Sequence, residues 1–294
     1  MRAKVLVLVT VLAVSGAAAV HYASQGPDGI KLASATAAPA PRVGERFTRL
    51  TDPARTVVTS AGGAVVATLT DGSRTVTLNG PARTFAEPGS TQATLTTTAW
   101  VRLAPHPWSA DAERAPWFKP WLAAATRDAT PDLLAIGTQY LKGAPTVRAR
   151  TGTRIAGQAT FGRDADYDEY LRTGAIDSAG FVRLVYGYRA GYPLQGDASV
   201  LPRTAAAMAG AGPGTPIVPD TGQQATDYSR LQPGDLMFFT KAPGTDGVTR
   251  VGIYFGLDGT GRPRVLGDSP DNGGPSLLDR GNDYAQTFRS AKRL

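Results

Sequence analysis

The stretch GAIDSAGFVRLVYGYRAGYPL, from Gly174 to Leu194, decides how the second half of this chain is read. Phe181, Leu184, Val185 and Tyr188 recur at spacings of three and four, which predicts an amphipathic helix with one apolar face. Asp177 and Ser178 stand where that helix begins. The acidic residue suits a cap, or favourable charge at the helix N-terminus. A hydroxyl in the next position lies where backbone N–H groups are free to hold an oxyanion. The stretch therefore asks whether Ser178 is a nucleophile or stands where one used to be.

Downstream of the helix, GDLMFFT, RVGIYFG and RPRVLGDS read as strands separated by Gly- and Asp-rich turns, and YAQTFRSAKRL is expected to close the sheet. Within LQPGDLMFF, Pro233 and Gly234 form the turn into the first of these strands. Helices followed by an antiparallel sheet make the α+β class. Upstream, APWFKPWLAAAT and TPDLLAIGTQYL read as helices, the second with Thr130 as cap and Pro131 at the first helical position. The aromatic group Trp108, Trp117, Phe118 and Trp121 suits packing between domains better than a ligand platform. Earlier still, TVVTS, AVVATLT, RTVTLNG and LTTTAWVRLAP alternate with AGG, DGS, NGP and EPG turns, which predicts a small antiparallel β-rich module.

The whole sequence of 294 residues, 42% hydrophobic, suffices for one large or two modest domains with real cores. Its opening, MRAKVLVLVTVLAVSGAAAVHYASQG, has a basic start at Arg2 and Lys4, an apolar run and then small residues, the layout of a secretory signal. Thr10 and Ser15 interrupt the run, which falls short of the roughly 20 apolar residues that span a bilayer, so an uncleaved anchor is the less favoured outcome. The expected organisation is a signal peptide or anchor over 1–24, an Ala/Pro-rich linker over 25–45, the β-rich module with a helical connector over 46–128, and the α+β domain over 129–294. With no cysteine, disulfides and thiolate metal sites are excluded and the core must hold the fold alone. No metal cluster or cofactor is expected: the glycines of AGAGPGTP lack both the ending of a P-loop and the context of a dinucleotide site. A net charge of +7 favours an anionic partner, or else reflects an Arg-rich composition with no specific partner. Nucleic acid is not that partner, because the chain carries no helix-turn-helix, metal-finger or aromatic-basic pattern and the opening directs export.

Four motifs, DSAGFVRLVYGY, LPRTAAAM, LQPGDLMFF and VGIYFG, occur in an order that resembles the NlpC-type family of cell-wall peptidases. The similarity covers about Pro131 to Leu294. It implies a papain-like C-terminal domain acting on peptidoglycan peptides, with the β-rich module resembling the wall-binding barrels that accompany such domains. It also implies a protein that is secreted or associated with the cell wall, touching a membrane only through an uncleaved signal segment.

The family places Cys at the helix start, where the helix N-terminus and a nearby His lower the thiol pKa. Here that position is Ser178, within Asp177-Ser178-Ala179-Gly180-Phe181. The family's base is a His just before the small-Gly-Ile-Tyr strand, a position held here by Arg250, which is protonated at any accessible pH and cannot accept a proton. The position of the third, orienting residue falls on Gly267, with Asp268 expected on the other face of an extended strand. Serine without a general base is a weak nucleophile. His21 leaves with the signal, and His106 lies in or just after the β-rich module, where exposure or packing is the expected role. These departures point to a pseudoenzyme that binds peptidoglycan stem peptides. Ser178, Asp177, Arg203 and Arg250 are its candidate binding residues, with Arg250 gripping a carboxylate. In the other reading Arg250 is paired within the chain and the groove is vestigial, and Arg203 equally fixes a loop. The alternative function is an endopeptidase that uses Ser178 with an unidentified base.

Overall fold

The computed structural model describes residues 44–294 except 91–93, 142, 150, 157–169, 173, 175, 197–198, 270–273 and 280–281. The signal segment and nearly all of the linker lie outside the described residues.

Five strands, β1 (Arg46–Thr51), β2 (Ala54–Thr59), β3 (Val65–Thr70), β4 (Thr75–Ala86) and β5 (Thr94–Leu103), form an antiparallel meander in chain order. Alternation along them turns Val58, Ala67, Leu69, Val76 and Leu78 inward. Trp108, Phe118 and Leu122, the last two from α1 (Phe118–Ala125), cover that face. Trp108 is buried and its indole N–H donates to Thr56 Oγ1 at 3.2 Å. The aromatic group therefore packs on the β-rich module itself and not between two domains. The expected NGP turn is also replaced: Asn79, Gly80 and Pro81 run inside β4, where the register to β5 shifts between Asn79 and Arg83. Pro81 is tolerated because pairing of β4 with β3 covers only Val76–Leu78, so no ladder partner awaits a donor from it.

After α1 comes α2 (Leu133–Thr138), whose cap is Asp132 and not Thr130: Asp132 Oδ1 accepts from Ala135 N at 3.0 Å. A short hairpin of β6 (Thr146–Arg148) and β7 (Arg154–Ala156) follows. The stretch quoted at the outset forms α3 (Ser178–Val182), which continues as a π-helical segment, Arg183–Arg189. The helix is not amphipathic in the expected sense. Val182, Arg183, Tyr186 and Gly187 are buried together with Phe181, Leu184 and Val185, the pattern of a helix enclosed on all sides.

The remaining elements are α4 (Ala205–Ala209), β8 (Thr215–Val218), β9 (Leu236–Phe239), β10 (Arg250–Leu257), β11 (Pro263–Ser269), β12 (Gly274–Ser276), α5 (Asp283–Thr287) and β13 (Phe288–Arg293). The six strands build an antiparallel sheet in the order β12-β11-β10-β9-β13-β8. The last stretch of the sequence does close the sheet, although its first residues belong to α5. In the turn into β9, Gly234 has φ +95°, a conformation that favours glycine. The architecture is mixed helix and antiparallel sheet, α+β.

The six-stranded sheet is covered on both faces. Val251, Ile253, Phe255 and Phe238 pack with Phe181 and the helices, whereas Phe239, Tyr254 and Val265 pack with Tyr284 and Phe288 on the opposite face. The β-rich module joins the first of these cores directly through Phe85, Leu95 and Val101, with the Phe85 and Phe255 rings edge to face at 5.5 Å.

Candidate functional site

Ser178 is the first residue of α3, and Asp177 is the cap, its Oδ1 accepting from Gly180 N at 2.6 Å. Ser178 itself is 6% exposed. Its Oγ accepts from the N–H of Val251 at 3.3 Å. The register explains that bond: β10 pairs with β11 only from Gly252, opposite Gly267, so Val251 lies one residue beyond the ladder and its N–H turns to the serine. Among the described residues, no histidine, lysine or carboxylate hydrogen-bonds Ser178 Oγ. His106 is exposed and sets its ring against Trp117 at 5.6 Å, beside the β-rich module.

Arg250 begins β10, so its backbone adjoins the Val251 N–H that Ser178 accepts. Its side chain does not join Ser178. Alternation turns it to the other face of the sheet, with the guanidinium 5.9 Å from the centre of the Phe239 ring. There NH1 donates to Asp283 Oδ2 at 2.7 Å, and NH2 donates to Thr240 O at 3.2 Å and Thr287 Oγ1 at 3.1 Å. The guanidinium thus takes a carboxylate from its own chain. Its Nε is buried without a hydrogen-bond partner. On the same face, burial pushes the Tyr254 hydroxyl above the ordinary tyrosine range, and the charge of Asp235 adds to the effect.

Gly267 shares that face. A Cβ built there would lie 3.3 Å from Gly252 Cα, 3.4 Å from Val251 O and 3.5 Å from the Tyr284 hydroxyl, so the position holds backbone close to backbone. Asp268 follows in β11 opposite Pro275, with only its backbone among the described parts. Arg203 is exposed, one residue before Thr204, which caps α4 by accepting from Ala207 N at 3.2 Å. The structure therefore brings Arg250 and Gly267 to one face of the sheet and leaves Ser178 on the other, with Asp177 held at the helix cap.

Sequence reasoning missed Asp283, Thr287 and Thr240. The spacing of Asp283 and Thr287 over one helical turn was the available signal, but only the sheet register shows that both face Arg250. It also missed two cavities, neither lined by Ser178. One of about 460 Å3 lies between β5, α1 and the start of α2, beside Arg102, Trp121 and Arg189. The other, about 300 Å3, is lined by polar side chains from the 222–224 loop, the 240–246 turn and the junction of α5 with β13. Among the described residues no cluster of His, Asp or Glu is placed to hold a metal ion, and no helix is long and apolar enough to cross a membrane.

No family model matches the chain, and no curated protein does. A crystal structure of an NlpC/P60 family protein from Bacillus cereus is similar to it at 15% identity, covering 85% of this chain and 79% of that one, with a TM-score of 0.27. At that value no residue is carried across.

Proposed function

We propose that this chain is an exported, cell-wall-associated protein of NlpC type that binds peptidoglycan stem peptides without cleaving them. The four motifs in order support the family reading. The observation that carries the loss of catalysis is the engagement of Ser178 Oγ, buried and accepting from the Val251 N–H, while the side chain at the base position is an arginine directed at Asp283 on the far face of the sheet. A nucleophile needs a base within hydrogen-bond reach and room for the carbonyl it attacks. Ser178 has neither.

The test is sedimentation of the full chain with purified peptidoglycan, coupled to mass spectrometry of the supernatant. The expected outcome is co-sedimentation with no released fragments, for the natural chain and for Ser178→Ala alike. Failure to sediment would refute wall binding, whereas muropeptides that vanish in Ser178→Ala would establish hydrolysis. Arg250→Ala belongs in the same series. If Arg250 grips a wall carboxylate in competition with Asp283, sedimentation falls while the fold persists; if it serves only its internal pair, sedimentation is unchanged.

A further inference from the structure

The cavity of about 300 Å3 carries chemistry that neither the Ser178 position nor its family counterpart uses. Its central group is Arg289 on β13. The guanidinium is fixed through one nitrogen only: Nε donates to Asp220 Oδ1 at 2.6 Å, and that same oxygen accepts from Gly222 N at 2.9 Å. Among the described residues NH1 and NH2 have no hydrogen-bond partner, and neither is sealed from solvent. With the side chain 12% exposed and pinned at Nε, the end-on edge of the fork is held in place and left open. That edge is the geometry that grips a carboxylate with two parallel N–H bonds.

The rest of the lining specifies what the carboxylate is attached to. Asp246, in the 240–246 turn, is exposed and has no partner among the described residues, so the cavity also offers one uncompensated negative charge. A doubly charged anion such as a phosphate monoester would be repelled by it, whereas an ammonium group would be held. The other polar groups of the lining are neutral. Gln223 has no described partner, and Gln224 donates its amide to Ala285 O at 2.7 Å, which leaves its carbonyl oxygen as an acceptor. Such amides match the N–H and C=O groups of a peptide unit. Phe288 is the one aromatic residue of the lining, and a volume near the lower end for ligand sites admits a small molecule only.

From these features we infer that this cavity binds a small zwitterion, a dipeptide or free amino acid, with its carboxylate on NH1 and NH2 of Arg289 and its ammonium toward Asp246. The site is separate from Ser178. Among the described residues it meets Arg250 through Thr240 and Thr287, which line the cavity and also accept from that guanidinium. The inference goes beyond the wall-binding reading and stands or falls independently of it.

Titration calorimetry on the full chain tests it, with alanyl-alanine of L,L and D,D configuration, its C-terminal amide and its N-acetyl derivative as probes. The expected result is saturable binding of at least one free dipeptide, weakened at least about tenfold by amidation of the carboxylate and by Arg289→Lys, which keeps a charge beside Asp220 but loses the fork. N-acetylation and Asp246→Asn should each weaken it by a smaller factor, and Asp246 is exposed, so that variant folds whatever happens to the arginine variant. Absence of saturable binding by both free dipeptides would overturn the inference. So would equal affinity for the free and amidated forms, or binding that neither variant changes.

Discussion

At the residue scale, Ser178 does two structural jobs with one oxygen and one position: it opens α3, and it accepts the N–H of Val251 where β11 no longer reaches. Removing that oxygen strands a buried backbone donor, which costs about 1–3 kcal/mol. Ser178→Ala should therefore lower the unfolding free energy by that amount, seen as a lower urea midpoint at unchanged m-value, with no change in any wall-directed readout. A residue kept for catalysis alone would behave in the opposite way, since replacing an active-site hydroxyl by a methyl group commonly leaves stability unaltered or improved. An Ser178→Ala chain as stable as the natural one would remove the structural explanation offered for this serine.

At the element scale, the turn between β10 and β11 is organised by Asp258. Its carboxylate accepts from Thr260 N at 2.8 Å, Thr260 Oγ1 at 2.7 Å, Arg262 N at 3.1 Å and Arg264 NH2 at 2.6 Å. Burial by itself would raise the carboxyl pKa, but the bonds from Thr260, Arg262 and Arg264 outweigh it and hold the group well below the ordinary carboxylate range. A carboxylate depressed in the folded state stabilises the fold above its unfolded pKa, and that contribution is lost as pH falls through the folded value. Asp258→Asn should thus melt below the natural chain at neutral pH, and the gap should narrow once pH drops below about 4. A gap of constant size from pH 7 to pH 3 would show that turn geometry, and not charge, sets the difference.

The same scale shows what could be read from sequence. The strands of the β-rich module and of the main sheet announce themselves through β-branched and aromatic runs between Gly-, Asp- and Pro-rich breaks, because those signals are local. The cap of α2 was misread because Thr130-Pro131 is locally as good a start as Asp132, and only the contacts of Asp132 across the fold favour it. The continuous β4 was hidden by Asn79-Gly80-Pro81, whose turn chemistry is overridden by pairing with β5 on either side. For the candidate site, the positions of Ser178, Arg250 and Gly267 could be aligned by motif, but facing could not: Arg250 adjoins Ser178 along the backbone and turns away from it through the pleat.

At the scale of the whole molecule, the question is whether the β-rich module is a separate folding unit, as its distinct texture suggests. Buried polar groups argue that it is not. Asp132, fully buried before α2, binds Arg83 of β4 through both oxygens at 2.7 and 2.6 Å and accepts from Val101 N of β5 at 2.6 Å. Arg293 of β13 pairs with Asp235 at 2.6 Å and donates to Thr70 Oγ1 of β3 at 2.5 Å, and Glu87, after β4, accepts from Ser276 Oγ and Leu277 N at 2.7 Å each. Parting the two sheets would break these bonds: Asp132 would lose Arg83 and the Val101 N–H, Arg293 its bond to Thr70, and Glu87 its bonds to Ser276 and Leu277. All four tryptophans, Trp100, Trp108, Trp117 and Trp121, lie on the module or its connecting helix, so their fluorescence reports that half alone. Most of the helical residues, those of α2 to α5 and the π-helical continuation of α3, lie in the other half, so far-UV circular dichroism at helical wavelengths follows chiefly that half. The two signals should melt together, as one transition. Asp132→Asn keeps the side-chain volume but leaves Arg83 buried without its counter-charge, at a cost of about 3–5 kcal/mol, and should lower both transitions by the same amount. If tryptophan fluorescence held its midpoint while the helical signal shifted, the bridges would be contacts between independent units, and coupling through Asp132 would be disproved.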